Sequence, residues 1–165
     1  MKKWYGKGSP LSKKQVSNVL SVIGNMSNNL FGDNFGTIPL EFVRTFADGD
    51  LQDSYAYVYP DQTKPFRQQK GRTVHLTGRY FVLPPETRAK SLVHEASHLG
   101  GAVFDYGYYS GVDKNGEPVY ARAGDTPSDR RTPFTLTVEE SLLNGSTYEH
   151  FIAELGSKSI QWYKY

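Results

Sequence analysis

The chain has 165 residues, the length of one ordinary domain, and 38% of them are hydrophobic and 22% charged, as in a globular protein. The net charge of +2 excludes a large electrostatic footprint for nucleic acid, and no run approaches the ~20 apolar residues of a membrane span. Cysteine is absent, which excludes disulfides and thiolate chemistry. We therefore expect no nucleic-acid or membrane partner, and any metal must be bound by histidine and carboxylate groups.

The N-terminal part, over about residues 9–50, is predicted to be mainly helical. Before it, Met1–Pro10 is charged and polar with no following apolar segment, so we expect no secretory signal peptide. Apolar residues recur at helical spacing over Leu11–Leu30, which predicts a first helix. Pro39 near the start of the next apolar stretch favours a short second helix over Ile38–Ala47.

Two segments rich in strand-forming residues begin the second part of the chain, a catalytic core over about residues 55–155. Tyr55–Tyr59 and Thr73–Leu83 are both predicted to be extended, and Gly78 offers a point for a kink or bulge in the second. His75 lies within the alternating pattern of that strand and is predicted to be structural. Residues 1–165 are expected to form a single domain.

The clearest predicted helix spans Pro85–Leu99. Proline suits the first turn of a helix, and Glu86 lies near the positive end of the helix dipole. Gly100 and Gly101 follow directly and are typical of a helix C-terminus.

The remainder of the core is predicted to contain a hairpin and a last helix. Asn115-Gly116 is typical of a hairpin turn, and a helical region runs over Val138–Leu155 with an interruption at Asn144-Gly145. The predicted fold class is α+β, with a small antiparallel sheet beside the helix at Pro85–Leu99.

This helix carries the sequence His94-Glu95-Ala96-Ser97-His98, the HExxH signature. Two histidines at i and i+4 lie one helical turn apart on the same side, so both imidazoles can bind one zinc ion. Glu95 is placed to act as general base toward a zinc-activated water. With only 4 histidines in the chain, a chance match on a predicted helix is rare. The motif predicts a zinc site, with one ion per chain.

A catalytic zinc site needs a third protein ligand. In the metzincin spacing the ligand position would be Phe104, which cannot bind metal. In a thermolysin-like arrangement Glu139 or Glu140 could serve. The favoured candidate is Asp105, because the Gly100-Gly101 break allows the chain to turn back toward the two histidines.

Three segments resemble the aspzincins, the family of deuterolysin and the lysine-specific metallo-endopeptidases. Gly101–Tyr108 is similar to the family's GTxxDxxY element, and Asn144–Phe151 is similar to its NADxxEYF element. Thr73–Phe81 resembles the strand before its active-site helix. The likeness covers about residues 55–155, with the segments in the family's order, and it implies a zincin-like fold.

The resemblance also implies roles for individual residues. His94, His98 and Asp105 would bind zinc, and Glu95 would be the general base. Tyr108 would donate a hydrogen bond to the oxyanion, although Tyr106 is close enough in sequence to compete for this role.

A further pair is implied for substrate binding. In lysine-specific members an aspartate and a glutamate bind the substrate ammonium group, and Ser146 and Glu149 occupy those positions here, so one acid is missing. The same two residues also match a helix capping box, in which they would satisfy backbone donors instead.

Together these observations predict a zinc-dependent endopeptidase acting on a protein or peptide substrate. The alternatives are a zinc hydrolase of cell-wall peptide amides and a catalytically idle metal-binding interaction domain. Since a free peptidase would endanger its own cytoplasm, we also consider a toxin or effector domain with a cognate inhibitor or immunity protein. A chain without cysteine or an expected signal peptide fits the cytoplasm, and it equally fits an effector exported by a signal-independent route, so both locations stay open.

Overall fold

The structure is a computed structural model that describes residues 2–5, 10–32, 41–46, 54–59, 73–101, 104–122 and 133–162. The helices are α1 Lys2–Tyr5, α2 Lys13–Phe31, α3 Pro85–Gly101, α4 Val138–Ser141 and α5 Gly145–Trp162, with a 3-10 helix at Gly78–Val82. The strands are β1 Glu41–Arg44, β2 Ala56–Tyr57, β3 Thr73–Leu76, β4 Tyr108–Val112 and β5 Pro118–Ala121. This mixture of helices and small sheets confirms the predicted α+β class.

The chain forms two compact units, of which one contains residues 21–103. Its three-stranded sheet has the order β1-β3-β2, with β2 antiparallel and β1 parallel to the central β3. The sheet is therefore mixed, whereas an antiparallel sheet was predicted. Helix α3 packs against β2, as expected of a sheet beside this helix. The core of the unit contains Val74, Leu76, Ala96 and Leu99.

Helices α2 and α3 approach closely at Gly100 within this unit. A Cβ atom on Gly100 would lie 3.0 Å from Met26 Cγ and 3.2 Å from the Met26 backbone nitrogen. The Asn25 amide donates to the Gly100 carbonyl at 2.8 Å. The glycine lets the end of α3 pack directly on α2. The hydrogen bond from the Asn25 side chain satisfies a carbonyl that the ending helix leaves without a helical partner.

The other unit contains residues 1–20 and 104–165. Strands β4 and β5 form an antiparallel hairpin whose turn includes Gly116 at φ 77°, in agreement with the predicted Asn115-Gly116 turn. Tyr5, on α1, packs edge-on against Tyr148 and Phe151 of α5, and all three are buried. Aromatic packing between α1 and α5 thus builds much of this core.

Two predicted elements differ from those observed. The helix predicted over Ile38–Ala47 is wrong, because Glu41–Arg44 forms strand β1, paired in register with β3. The strand predicted over Thr73–Leu83 ends at Leu76, and the chain continues into the 3-10 helix. The single-domain prediction, with its parts at 9–50 and 55–155, is not tested and stays a prediction. Among the residues that the structure describes, no helix could cross a membrane.

Candidate metal centre

Helix α3 carries the predicted motif in its C-terminal half. Seven consecutive residues, His94–Gly100, are buried. Four of them are polar: His94, Glu95, Ser97 and His98. Burying such groups costs free energy unless each has a partner, so a run of this kind marks a functional centre more often than a plain core.

The two histidines lie one helical turn apart, as predicted. Their ring centroids are 4.9 Å apart, with an angle of 77° between the ring planes. The Ser97 hydroxyl donates to the His94 carbonyl at 2.7 Å, which satisfies this hydroxyl within the buried helix. Glu95 follows His94 directly and is equally buried, so its carboxyl group is largely shielded from solvent.

Asp105 completes a set of three groups that could bind a metal. One ligand atom from each of His94, His98 and Asp105 lies within 4.8 Å of the other two. Some point therefore lies within about 2.8 Å of all three atoms, against zinc–ligand bonds of about 2.0–2.2 Å. Two imidazoles and one carboxylate are also the donor set of many catalytic zinc sites. The residues present thus fit a zinc ion after a small adjustment of side chains.

Tyr108 is attached to the same segment as Asp105. Its hydroxyl donates to Asp105 Oδ2 at 3.4 Å, a long hydrogen bond, and almost half of the side chain is exposed. The ring of Tyr106 instead lies beside that of Phe104, with centroids 5.7 Å apart. Of the two tyrosines considered for the oxyanion, Tyr108 is the one whose hydroxyl contacts a candidate metal ligand.

The alternative third ligands have other surroundings. Glu140 forms a capping box with Thr137 at the start of α4: its carboxylate accepts the Thr137 N–H at 2.8 Å, and the Thr137 hydroxyl accepts the Glu140 N–H at 3.2 Å. Glu139 is exposed on the same short helix. The carboxylate of Glu140 therefore stabilises a helix N-terminus.

The residues proposed for substrate binding lie at the start of α5. Ser146 is inside the first turn and buried, and its Oγ accepts the Tyr109 N–H at 3.0 Å. A capping box would require the serine to precede the helix, and α5 already begins at Gly145. Glu149 is largely buried, with one carboxylate oxygen 3.6 Å from Nε2 of His150.

His75 has the surroundings of a structural residue. It lies in β3 with its ring stacked on that of Tyr57, at a centroid distance of 4.8 Å and an interplanar angle of 5°. This arrangement agrees with its predicted structural role.

Comparison with known proteins supports the fold. No protein-family model matches the sequence, and no curated protein matches it. Among solved structures, the chain is similar to a zinc peptidase from Grifola frondosa, with a TM-score of 0.55 and 23% sequence identity. The match covers 90% of this chain and 72% of that one. The chain thus has the fold of a zinc peptidase.

Proposed function

We propose that this protein is a zinc-dependent endopeptidase of the aspzincin type. The observation that carries the proposal is the set of ligand atoms from His94, His98 and Asp105, which lie within 4.8 Å of one another. The helix that bears the two histidines also buries Glu95. The likeness in fold to a zinc peptidase adds support. The position of Asp105, seven residues after the second histidine, is the feature that the aspzincin resemblance requires.

The number of ligands favours a catalytic site over a structural one. Structural zinc sites are closed by four protein ligands, whereas catalytic sites use three and leave one position open. In the part of the chain that the structure describes, the cluster has three members. A buried glutamate next to a ligand has no purpose in a structural site, which disfavours the idle interaction domain.

The residues divide the chemistry among them. His94, His98 and Asp105 would hold the zinc, which when bound acts as a Lewis acid and lowers the pKa of a bound water to about 7. Glu95 takes the proton of the attacking water and passes it to the leaving amine, as general base and then general acid. The hydroxyl of Tyr108 donates a hydrogen bond to the oxyanion that develops on the scissile carbonyl.

Zinc quantification together with cleavage of a mixed peptide library tests this proposal. We expect one zinc per chain in the wild type and in Glu95→Gln, with cleavage lost only in the variant. Glu86→Gln is the matched control, since Glu86 is an exposed glutamate in the first turn of the same helix. Equal cleavage by wild type and Glu95→Gln would remove Glu95 as the base.

The peptide library also tests specificity. With Ser146 bonded to the Tyr109 backbone and Glu149 as the remaining acid, we propose no strict preference for lysine. The effector role and the inhibitor partner remain predictions from the sequence. A protein encoded beside this gene that abolishes cleavage at equimolar ratio would support both.

A further inference from the structure

Asn144 is a fully buried amide at the start of α5, and it binds another segment of the chain through both of its polar atoms. Its Oδ1 accepts the Gly107 N–H at 3.1 Å, and its Nδ2 donates to the Gly107 carbonyl at 3.0 Å. Nδ2 also donates to the Thr147 hydroxyl at 3.1 Å. Only an amide offers an acceptor and a donor side by side, so it pairs with both backbone groups of one residue.

Backbone hydrogen bonds attach the segment Phe104–Gly107 at a second point, to the residues on either side of Asn144. The Phe104 N–H donates to the Leu143 carbonyl at 2.6 Å, and the Gly145 N–H donates to the Phe104 carbonyl at 3.0 Å. The short segment that carries Asp105 is thus held at Phe104 on one side and at Gly107 on the other. Backbone alone makes the first attachment, while the second depends on one side chain.

The surroundings of Asn144 fix the orientation of its amide. The hydroxyls of Thr147 and Tyr120 lie 3.1 Å apart, and both residues are buried. Because Oδ1 faces the Gly107 N–H and Nδ2 faces the Gly107 carbonyl, a flipped amide would place a donor against the N–H and an acceptor against the carbonyl. Thr147 accepts the second hydrogen bond of Nδ2. The network therefore specifies one arrangement, as fully satisfied buried polar networks do.

We infer that Asn144 is a positioning residue for the metal-binding carboxylate. By binding the Gly107 peptide it sets the backbone two residues after Asp105 and one residue before Tyr108, and so the direction of both side chains. The inference rests on the proposed function in one respect, that Asp105 is a zinc ligand. It does not require that the protein cleave peptides.

The test measures the zinc dissociation constant by competition with a chromophoric chelator, for wild type, Asn144→Ala and Thr137→Ala. We expect Asn144→Ala to bind zinc at least about ten-fold more weakly, the usual effect of removing a group that orients a metal ligand. Thr137→Ala removes the capping box of α4, in the same unit, and should lower the unfolding midpoint without changing zinc affinity. The absorption spectrum of the cobalt-substituted protein should change in Asn144→Ala only.

A milder pair of variants keeps the test decisive if Asn144→Ala does not fold. Thr147→Val removes the hydroxyl that accepts a hydrogen bond from the Asn144 amide and so supports its position, and Thr147→Ser keeps that hydroxyl. We expect zinc affinity to fall about three-fold or more in Thr147→Val and to stay at the wild-type value in Thr147→Ser. Equal affinity in all variants that fold, with only stability lowered, would overturn the inference.

The outcomes also separate this inference from the proposed function. A wild type that binds zinc but cleaves no peptide would contradict the peptidase and leave the role of Asn144 to be decided by the affinities. A wild type that cleaves peptides while Asn144→Ala binds zinc equally well would overturn the inference alone. A wild type that takes up no zinc would overturn both.

Discussion

Replacing Gly107 by alanine should destabilise the protein, because the space for a side chain is filled. A Cβ atom would lie 2.8 Å from Phe134 Cζ, 3.0 Å from the Ala121 carbonyl oxygen and 3.0 Å from Tyr120 Cβ. Favourable carbon–carbon contacts begin near 3.5 Å. The Phe134 ring edge can turn aside, but the other two atoms are held in strand β5, so the backbone must shift.

Overpacking of this kind costs about 1–3 kcal/mol. For a chain of this length each kcal/mol lowers the melting temperature by about 2–4 °C, so we expect a fall of about 2–12 °C in thermal unfolding followed by circular dichroism. The shift would also displace the peptide that Asn144 binds, and zinc affinity should fall together with stability. Gly156→Ala is the control: the position is exposed inside α5, a Cβ there meets nothing within 4 Å, and stability should rise by about 0.5–1 kcal/mol. A Gly107→Ala protein as stable as wild type would refute this account of the segment.

Three further results are expected. In metal analysis, Asp105→Ala should lose zinc while Glu140→Ala keeps it. Urea unfolding should show that Glu140→Ala loses only about 0.5–2 kcal/mol of stability, from its helix cap. The reverse metal result would favour the thermolysin-like arrangement. Burial raises the pKa of Tyr5 and of Tyr148 above the ordinary value of 10.0. The stability that this contributes should be fully present below pH 10 and be lost as the pH rises above it, by up to about 1.4 kcal/mol per pH unit for each tyrosine that ionises only on unfolding. A urea midpoint that stays constant between about pH 9 and 11 would contradict this. Zinc at a thousand times its dissociation constant should stabilise the protein by about 4 kcal/mol, and a chelator should abolish that gain in thermal unfolding. An unchanged melting temperature on chelation would mean that the folded state does not bind the ion selectively.

The features that local sequence encodes were predicted well. Helix α3 follows from the proline at its start, the glutamate in its first turn and the glycines at its end, and the β4–β5 hairpin follows from Asn115-Gly116. The histidine pair is local as well, since i and i+4 positions share a helix face whatever surrounds them. Asp105 could be favoured from its spacing because it follows the helix closely.

The features that depend on distant pairing were not predictable in the same way. Glu41–Arg44 forms a strand because β3 offers a partner, and such pairing outweighs local propensity. The capping-box pattern at Ser146 and Glu149 is not formed, whereas Thr137 and Glu140, which were not singled out from the sequence, form one. The two hydrogen bonds between the Asn144 amide and the Gly107 backbone join residues far apart in the chain, so only the fold reveals them.

Diffraction from zinc-loaded crystals at the zinc absorption edge tests the central claim most directly. We predict one anomalous peak per chain, about 2.0–2.2 Å from a nitrogen of His94, a nitrogen of His98 and a carboxylate oxygen of Asp105. A peak bound by Glu139 or Glu140 in place of Asp105, or no peak at the two histidines, would contradict the account.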